Sequence, residues 1–188
     1  MVKSNFKKKV AVFISGRGSN LKSLIKNSKS RKSKYKISLV LSNKLDAKGL
    51  NIAKINKIDN FTIDKKFSIF EKNSLKLIKK YKIDIICLAG FMKILSSNFL
   101  KKVKIPIINI HPSLLPKLKG LHTHERAIKA KHKYSGCTIH YVNDKLDSGK
   151  IILQKKIKIL KSDTAEKLEK KILILEHRFY PEALNNIL

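Results

Sequence analysis

Three side chains suited to acyl transfer lie in one stretch of the chain: Asn109, His111 and Asp147. Asn109 and His111 stand two apart at the end of a short apolar run, Ile105-Pro106-Ile107-Ile108. In a strand, that spacing points both to one face. Pro112 ends the strand, since its ring fixes its own φ and restricts His111 before it, which holds the imidazole in one place. An amide N–H beside a titratable ring N–H suits a carbonyl oxygen that turns negative under attack. A carboxylate arriving from Asp147 would favour the charged histidine. Taken alone, Asn-x-His-Pro is more often structural, a satisfied histidine closing a strand.

A second chemistry-bearing stretch is Ser15-Gly16-Arg17-Gly18-Ser19-Asn20-Leu21, placed between an apolar run and an amphipathic one. Two glycines let the backbone fold tightly, and a helix opening there aims unpaired N–H groups at an anion. No Gly-Lys-Ser/Thr follows, so this is not a Walker A loop, and Leu21 replaces the third glycine of a dinucleotide fingerprint. An ordinary strand-to-helix turn is the other reading of these residues.

Apolar blocks alternating with amphipathic ones must position these groups, and they predict an α/β fold with a mostly parallel sheet. Strands are expected at Lys8 to Ser15, Ile37 to Ser42, Asn60 to Ile63, Ile83 to Leu88, Ile105 to Ile110, Cys137 to Val142 and Ile151 to Ile159. Helices are expected from Ser19 to about Ser28, around Ala47 to Ile55, from near Phe67 to Tyr81 and from Thr123 to Ala130. Asp163 with Glu166 reads as a capping box for a last helix that Pro181 kinks or splits. No repeat or linker divides the 188 residues, so one domain is expected, with residues 1–7 as a basic tail.

The longest apolar stretch, Ile85 to Met92, is too short to cross a bilayer, and no membrane partner is expected. Cys87 and Cys137 sit in apolar strand-like segments, which fits core packing in a reducing, cytoplasmic setting. His122-x-His124 has no supporting ligand cluster, so no metal is assigned. The net charge of +30 raises nucleic acid as a partner. Only Arg17, Arg31, Arg126 and Arg178 of the 43 basic residues are arginine, and the lysines are scattered. That pattern fits a compositional bias at surface positions, with weak, salt-sensitive binding to polyanions and no specific nucleic-acid site.

The string Asn109-Ile110-His111-Pro112-Ser113-Leu114-Leu115-Pro116, with Leu146-Asp147-Ser148-Gly149 downstream, resembles the formyltransferases that use 10-formyltetrahydrofolate. Its continuation, Lys117-Leu118-Lys119-Gly120-Leu121-His122-Thr123-His124, resembles the phosphoribosylglycinamide formyltransferase branch. The likeness runs from Val10 to about Pro181 and implies a single-domain, Rossmann-like formyltransferase fold. By that resemblance Asn109, His111 and Asp147 are catalytic, and Gly18, Ser19 and Asn20 hold the phosphate of phosphoribosylglycinamide. Met92, Lys93, Ile94, Leu95, Asn109 and Asp144 are implied folate contacts, with the Asp144 to Gly149 loop closing over the pteridine. Relatives commonly have arginine at Lys93, and a lysine offers a point charge where arginine offers a planar fork. Either Lys65 or Lys66 stands in for another ligand-binding arginine. Glu176 is implied as a partner of the glycinamide amine or ribose hydroxyls. His140 either positions Asp147 or is a plain strand residue. The co-substrate implied is 10-formyltetrahydrofolate, and the protein is expected as a monomer or homodimer.

Two related activities compete with this reading. Methionyl-tRNA formyltransferases share the Asn-x-His and Asp elements, but that family typically carries a further C-terminal domain. Formyltetrahydrofolate deformylases usually carry an N-terminal regulatory domain. A third alternative, from another class, is a basic nucleic-acid-binding protein on an α/β scaffold.

Overall fold

A computed structural model describes residues 7–64 and 66–188. Seven strands form one sheet in the order β3-β2-β1-β4-β5-β6-β7. Strands β1 (Lys8–Ile14), β2 (Tyr35–Ser42), β3 (Asn60–Thr62), β4 (Ile85–Leu88) and β5 (Ile107–His111) run parallel. β6 (Tyr134–Tyr141) and β7 (Ile151–Lys158) complete the sheet antiparallel. The chain winds outward from β1 to β3, then returns to the other side of β1 to begin β4. Strand order therefore reverses between β1 and β4, and the carboxyl ends there are where open α/β sheets place ligands.

The period-2 pattern of β1 explains how the layers form. Val10, Val12 and Ile14 face α1 (Ser19–Ser28), α2 (Gly49–Ile55) and α6 (Ala165–Ile187), packing with Leu21, Leu24, Leu50, Tyr180 and Leu184. Ala11 and Phe13 face α3 (Phe67–Tyr81) and α4 (Ser97–Val103), packing with Phe70, Ile78 and Phe99. Both sides of the strand are buried, as a central parallel strand requires. A third cluster joins Ala127 of α5 (Thr123–Lys129) to Cys137, Leu168 and Ile172. Both cysteines are free and buried, and burial pushes each thiol up to about 12.

Several local expectations need correction. α4 was not foreseen: Ser96 caps it by accepting from the Phe99 nitrogen, and Glu71 accepts from both the nitrogen and hydroxyl of Ser96. Thr164, not Asp163, caps α6 by accepting from the Lys167 nitrogen. Asp163 instead accepts from the Leu160 nitrogen and pairs with Lys171 Nζ at 2.6 Å. Pro181 does not split α6. A proline lacks the N–H that would bond four residues back, which leaves the His177 carbonyl without its helical partner. The Ser23 hydroxyl of α1 donates to that carbonyl, so the helix continues at no cost in unmet polar groups. Of the expected tail, residues 1–6 lie outside the described residues, whereas Lys7 donates to the Ser28 and Ser30 carbonyls. Tyr180 anchors α6 to the sheet, its hydroxyl donating to the Leu88 and Ile108 carbonyls at 3.0 and 3.2 Å.

Candidate active site

β5 ends on His111, and Asn109 lies across from His140 of β6 in the antiparallel register. His140 Nδ1 lies 2.9 Å from the Tyr141 carbonyl, which accepts only, so that nitrogen carries the proton. His140 Nε2 is then the acceptor, and Asn109 Nδ2 donates to it at 3.3 Å. Burial lowers the His140 pKa, the Tyr141 carbonyl and Asp147 opposing, which keeps the ring neutral and the acceptor in place.

His111 is 5 % exposed. Its Nε2 lies 2.9 Å from the Leu118 carbonyl and its Nδ1 3.4 Å from Asp147 Oδ2. Nε2 thus faces a carbonyl oxygen and Nδ1 a carboxylate oxygen. Asp147 reaches this position through a left-handed backbone, φ 46°, where Asp and Asn are tolerated better than most residues. Its Oδ2 also accepts from the Gly120 nitrogen at 2.8 Å, tying the loop after β6 to the loop after β5. Asp147 Oδ1 is 3.7 Å from His140 Nε2, too long for a hydrogen bond. The structure thus brings Asn109, His111, His140 and Asp147 into one buried cluster.

The loop after β1 lies at the same carboxyl edge of the sheet, one strand removed from β5, with β4 between them. Gly18 has φ 76°, and a Cβ there would stand 2.5 Å from the Gly49 Cα. Only glycine fits that close approach of two backbones. The Gly49 nitrogen donates to the Gly16 carbonyl, and Ser15 Oγ donates to Asn43 Oδ1 while accepting from the Met92 nitrogen. α1 opens without a side-chain cap, so its first N–H groups are not spent on one. Ser19 lies at that opening, half-buried. Asn20 is buried, and its Nδ2 donates to Glu176 Oε2 at 2.7 Å. Burial pushes the Glu176 carboxyl up to about 7, the Asn20 bond working against it and Glu169 with it. Asn20 Oδ1 is buried with no partner.

The remaining candidates are dispersed around these clusters. In the loop between β4 and α4, Met92 and Ile94 expose their side chains, Lys93 is exposed, and Leu95 is buried with Phe99 in the core. Asp144 is exposed in the loop that carries Asp147. Lys66 is exposed at the start of α3, and Lys65 lies outside the described residues. Sequence reasoning missed His124 as part of this region. It is half-buried, its Nδ1 has no partner, and burial lowers its pKa while Glu169, Glu125 and His111 all act on it. The histidine-rich string around His122 was the available signal, and it read as a weak metal motif. Among the described residues no group of three or more His, Cys, Asp or Glu could hold a metal ion. No described helix is long and apolar enough to cross a membrane.

A doubly wound sheet ending in an amide, two imidazoles and a carboxylate, beside a glycine loop that opens a helix, has the layout of an α/β group-transfer enzyme. The formyl transferase family profile matches residues 8–184, and the chain belongs to that family, on its phosphoribosylglycinamide formyltransferase branch. The chain is 41% identical over 182 residues to phosphoribosylglycinamide formyltransferase of Haemophilus influenzae, covering 93% of this chain and 84% of that protein. It is similar to the crystal structure of phosphoribosylglycinamide formyltransferase from Anaplasma phagocytophilum, with TM-score 0.92 and 44% identity over 97% of this chain and 87% of that one. The chain is also 39% identical over 182 residues to the trifunctional purine biosynthetic protein adenosine-3 of Homo sapiens, a match that covers 95% of this chain but only 18% of that protein's length.

Proposed function

We propose that the protein transfers the formyl group of 10-formyltetrahydrofolate to the amine of 5-phosphoribosylglycinamide. The observation that carries this reading is the joint placement of the Asn109–His111–Asp147 cluster, after β5, and the Gly18 loop, after β1, at one carboxyl edge of the sheet on either side of β4. The first suits an acyl carbonyl and the second an anionic group. Exposed apolar side chains of Met92, Ile94, Leu121 and Leu146 on the loops nearby fit a flat heteroaromatic co-substrate.

In this reading the glycinamide amine attacks the formyl carbon, and the carbonyl oxygen becomes negative. Asn109 keeps a second amide hydrogen beyond the one given to His140, and that hydrogen serves the oxyanion. His111 Nε2–H is engaged with Leu118, so a substrate oxygen takes over that bond as the loop following β5 or the ring shifts. Each such donor is worth about 3 kcal/mol of barrier. Asp147 balances the charge on His111 and accepts the proton that leaves the amine, directly or through water, for return to the leaving nitrogen. No covalent acyl-enzyme is required, because a free amine is already a competent nucleophile. Gly18, Ser19 and Asn20 present the opening of α1 to the phosphate, while Glu176, held by Asn20 Nδ2, meets the ribose or the amine.

The test is formyl transfer from a 10-formyl folate to phosphoribosylglycinamide, run beside initiator methionyl-tRNA. Turnover of the ribonucleotide that vanishes in His111→Ala is the expected result. Turnover of the tRNA alone would overturn the substrate.

A further inference from the structure

The loop that opens α1 carries one group that the proposed mechanism leaves unused. Arg17, between Gly16 and Gly18, donates from Nη2 to Glu169 Oε1 of α6 at 2.5 Å. The Arg17 side chain is 78% exposed and that of Glu169 41%, and an ion pair in such a setting is cheap to exchange. Glu169 in turn acts electrostatically on His124 and on Glu176. Asn20 Oδ1, three residues from Arg17 at the opening of α1, and His124 Nδ1 are both buried without partners. Buried polar atoms left unpaired mark a place where a polar ligand or ordered water belongs.

We propose that Arg17 is a phosphate clamp, held in reserve by Glu169 and released to the ribonucleotide when its phosphate arrives. This rests on the substrate proposed above. A phosphate dianion offers the guanidinium more charge and three acceptor oxygens, where Glu169 engages a single nitrogen. The backbone N–H groups at the start of α1, which no side chain caps, favour the same anion. Glu169 is the carboxylate that pairs with Arg17, while Glu176 is engaged with Asn20 Nδ2. Arg126, another of the four arginines, is spent on the Lys119 and Leu121 carbonyls and does not compete for this role.

The experiment compares KM and kcat for phosphoribosylglycinamide and for the same riboside without its phosphate, in Arg17→Gln, Arg17→Lys and Glu169→Gln. Calorimetric titration with inorganic phosphate runs in parallel. Arg17→Gln should raise KM for the ribonucleotide about tenfold, with kcat little changed and the riboside unaffected. Arg17→Lys should recover only part of that loss. Glu169→Gln should lower KM about two- to threefold by removing the competitor. Equal losses on ribonucleotide and riboside, or an unchanged KM in Arg17→Gln, overturn the clamp. A wild-type protein that formylates no ribonucleotide sinks the proposed substrate instead. In that case the inorganic phosphate titration alone decides Arg17: weaker binding in Arg17→Gln supports the clamp, and equal binding overturns it.

Discussion

Asp147 Oδ2 lies 3.4 Å from His111 Nδ1 and accepts from the Gly120 nitrogen at the same time. One carboxylate oxygen therefore orients the imidazole and fastens the loop that supplies the imidazole's other partner, the Leu118 carbonyl. Charge and geometry are coupled here, and the choice of substitution decides which is tested.

Asp147→Asn removes the charge while keeping a side chain that tolerates the left-handed backbone at φ 46°. Its amide oxygen can still accept from Gly120. We expect kcat to fall by about two to three orders of magnitude with KM for the ribonucleotide nearly unchanged, the pattern of a lost transition-state interaction. Steady-state kinetics with both substrates varied provide the check. Unaltered turnover would remove Asp147 from the mechanism.

Gly18→Ala tests whether the phosphate loop depends on its backbone contact with Gly49. The new Cβ would press on the Gly49 Cα from 2.5 Å at a φ of +76°, so both strain and overlap must be relieved by moving the loop. Urea unfolding should show a loss of about 2 kcal/mol or more. Affinity for inorganic phosphate should fall with it. A stable Gly18→Ala protein with full phosphate affinity would mean the loop is not the anion site.

How far these relationships could be read in the sequence depends on whether they are local. The strands and most helices followed from apolar periodicity because each side chain's burial repeats with the backbone. Asn109 and His111 were legible for the same reason, being two apart on one strand. α4 was missed although α2 and α5, equally short, were read: its start is fixed by the Ser96 cap and by Glu71, 25 residues away, and such a contact leaves no spacing to read. The continuity of α6 through Pro181 was likewise hidden, since the compensating hydroxyl of Ser23 is on another helix. The Asn20–Glu176 bond, the Arg17–Glu169 pair and the placement of His124 all depend on α6 crossing the start of α1 and α5. Contacts between elements far apart in sequence leave no spacing to read.

His140 is expected to act as a positioning residue for Asn109, whose amide it receives on Nε2. His140→Leu leaves that amide unoriented and should lower kcat by about 10- to 100-fold. His140→Gln offers a carbonyl oxygen near the same position and should restore part of the loss. A merely structural role predicts reduced stability in both variants with no rescue of kcat by glutamine. Because burial lowers the His140 pKa, the acceptor persists below the usual histidine range, and wild-type kcat/KM should hold into mildly acidic solution.

Glu176 makes stability depend on pH in a direction opposite to the buried histidines. Its carboxyl titrates at about 7 in the folded protein against an ordinary 4.5, so the folded state binds its proton more tightly. Stability therefore rises as pH falls through 7, relieving a buried charge, and the gain is complete below 4.5. His124, His140 and His177 are lowered from 6.5, chiefly by burial, so the unfolded state binds those protons first. Their contribution is intact above 6.5 and is lost as pH falls below it. Thermal unfolding followed from pH 8.5 to 5 should thus show a maximum near pH 6 to 6.5. Glu176→Gln keeps an acceptor for Asn20 Nδ2 but cannot ionise. It should stabilise the protein at pH 8 by on the order of 1–3 kcal/mol, flatten the alkaline limb and leave the acid limb in place. An alkaline limb as steep in Glu176→Gln as in the wild type would place the proton on another group.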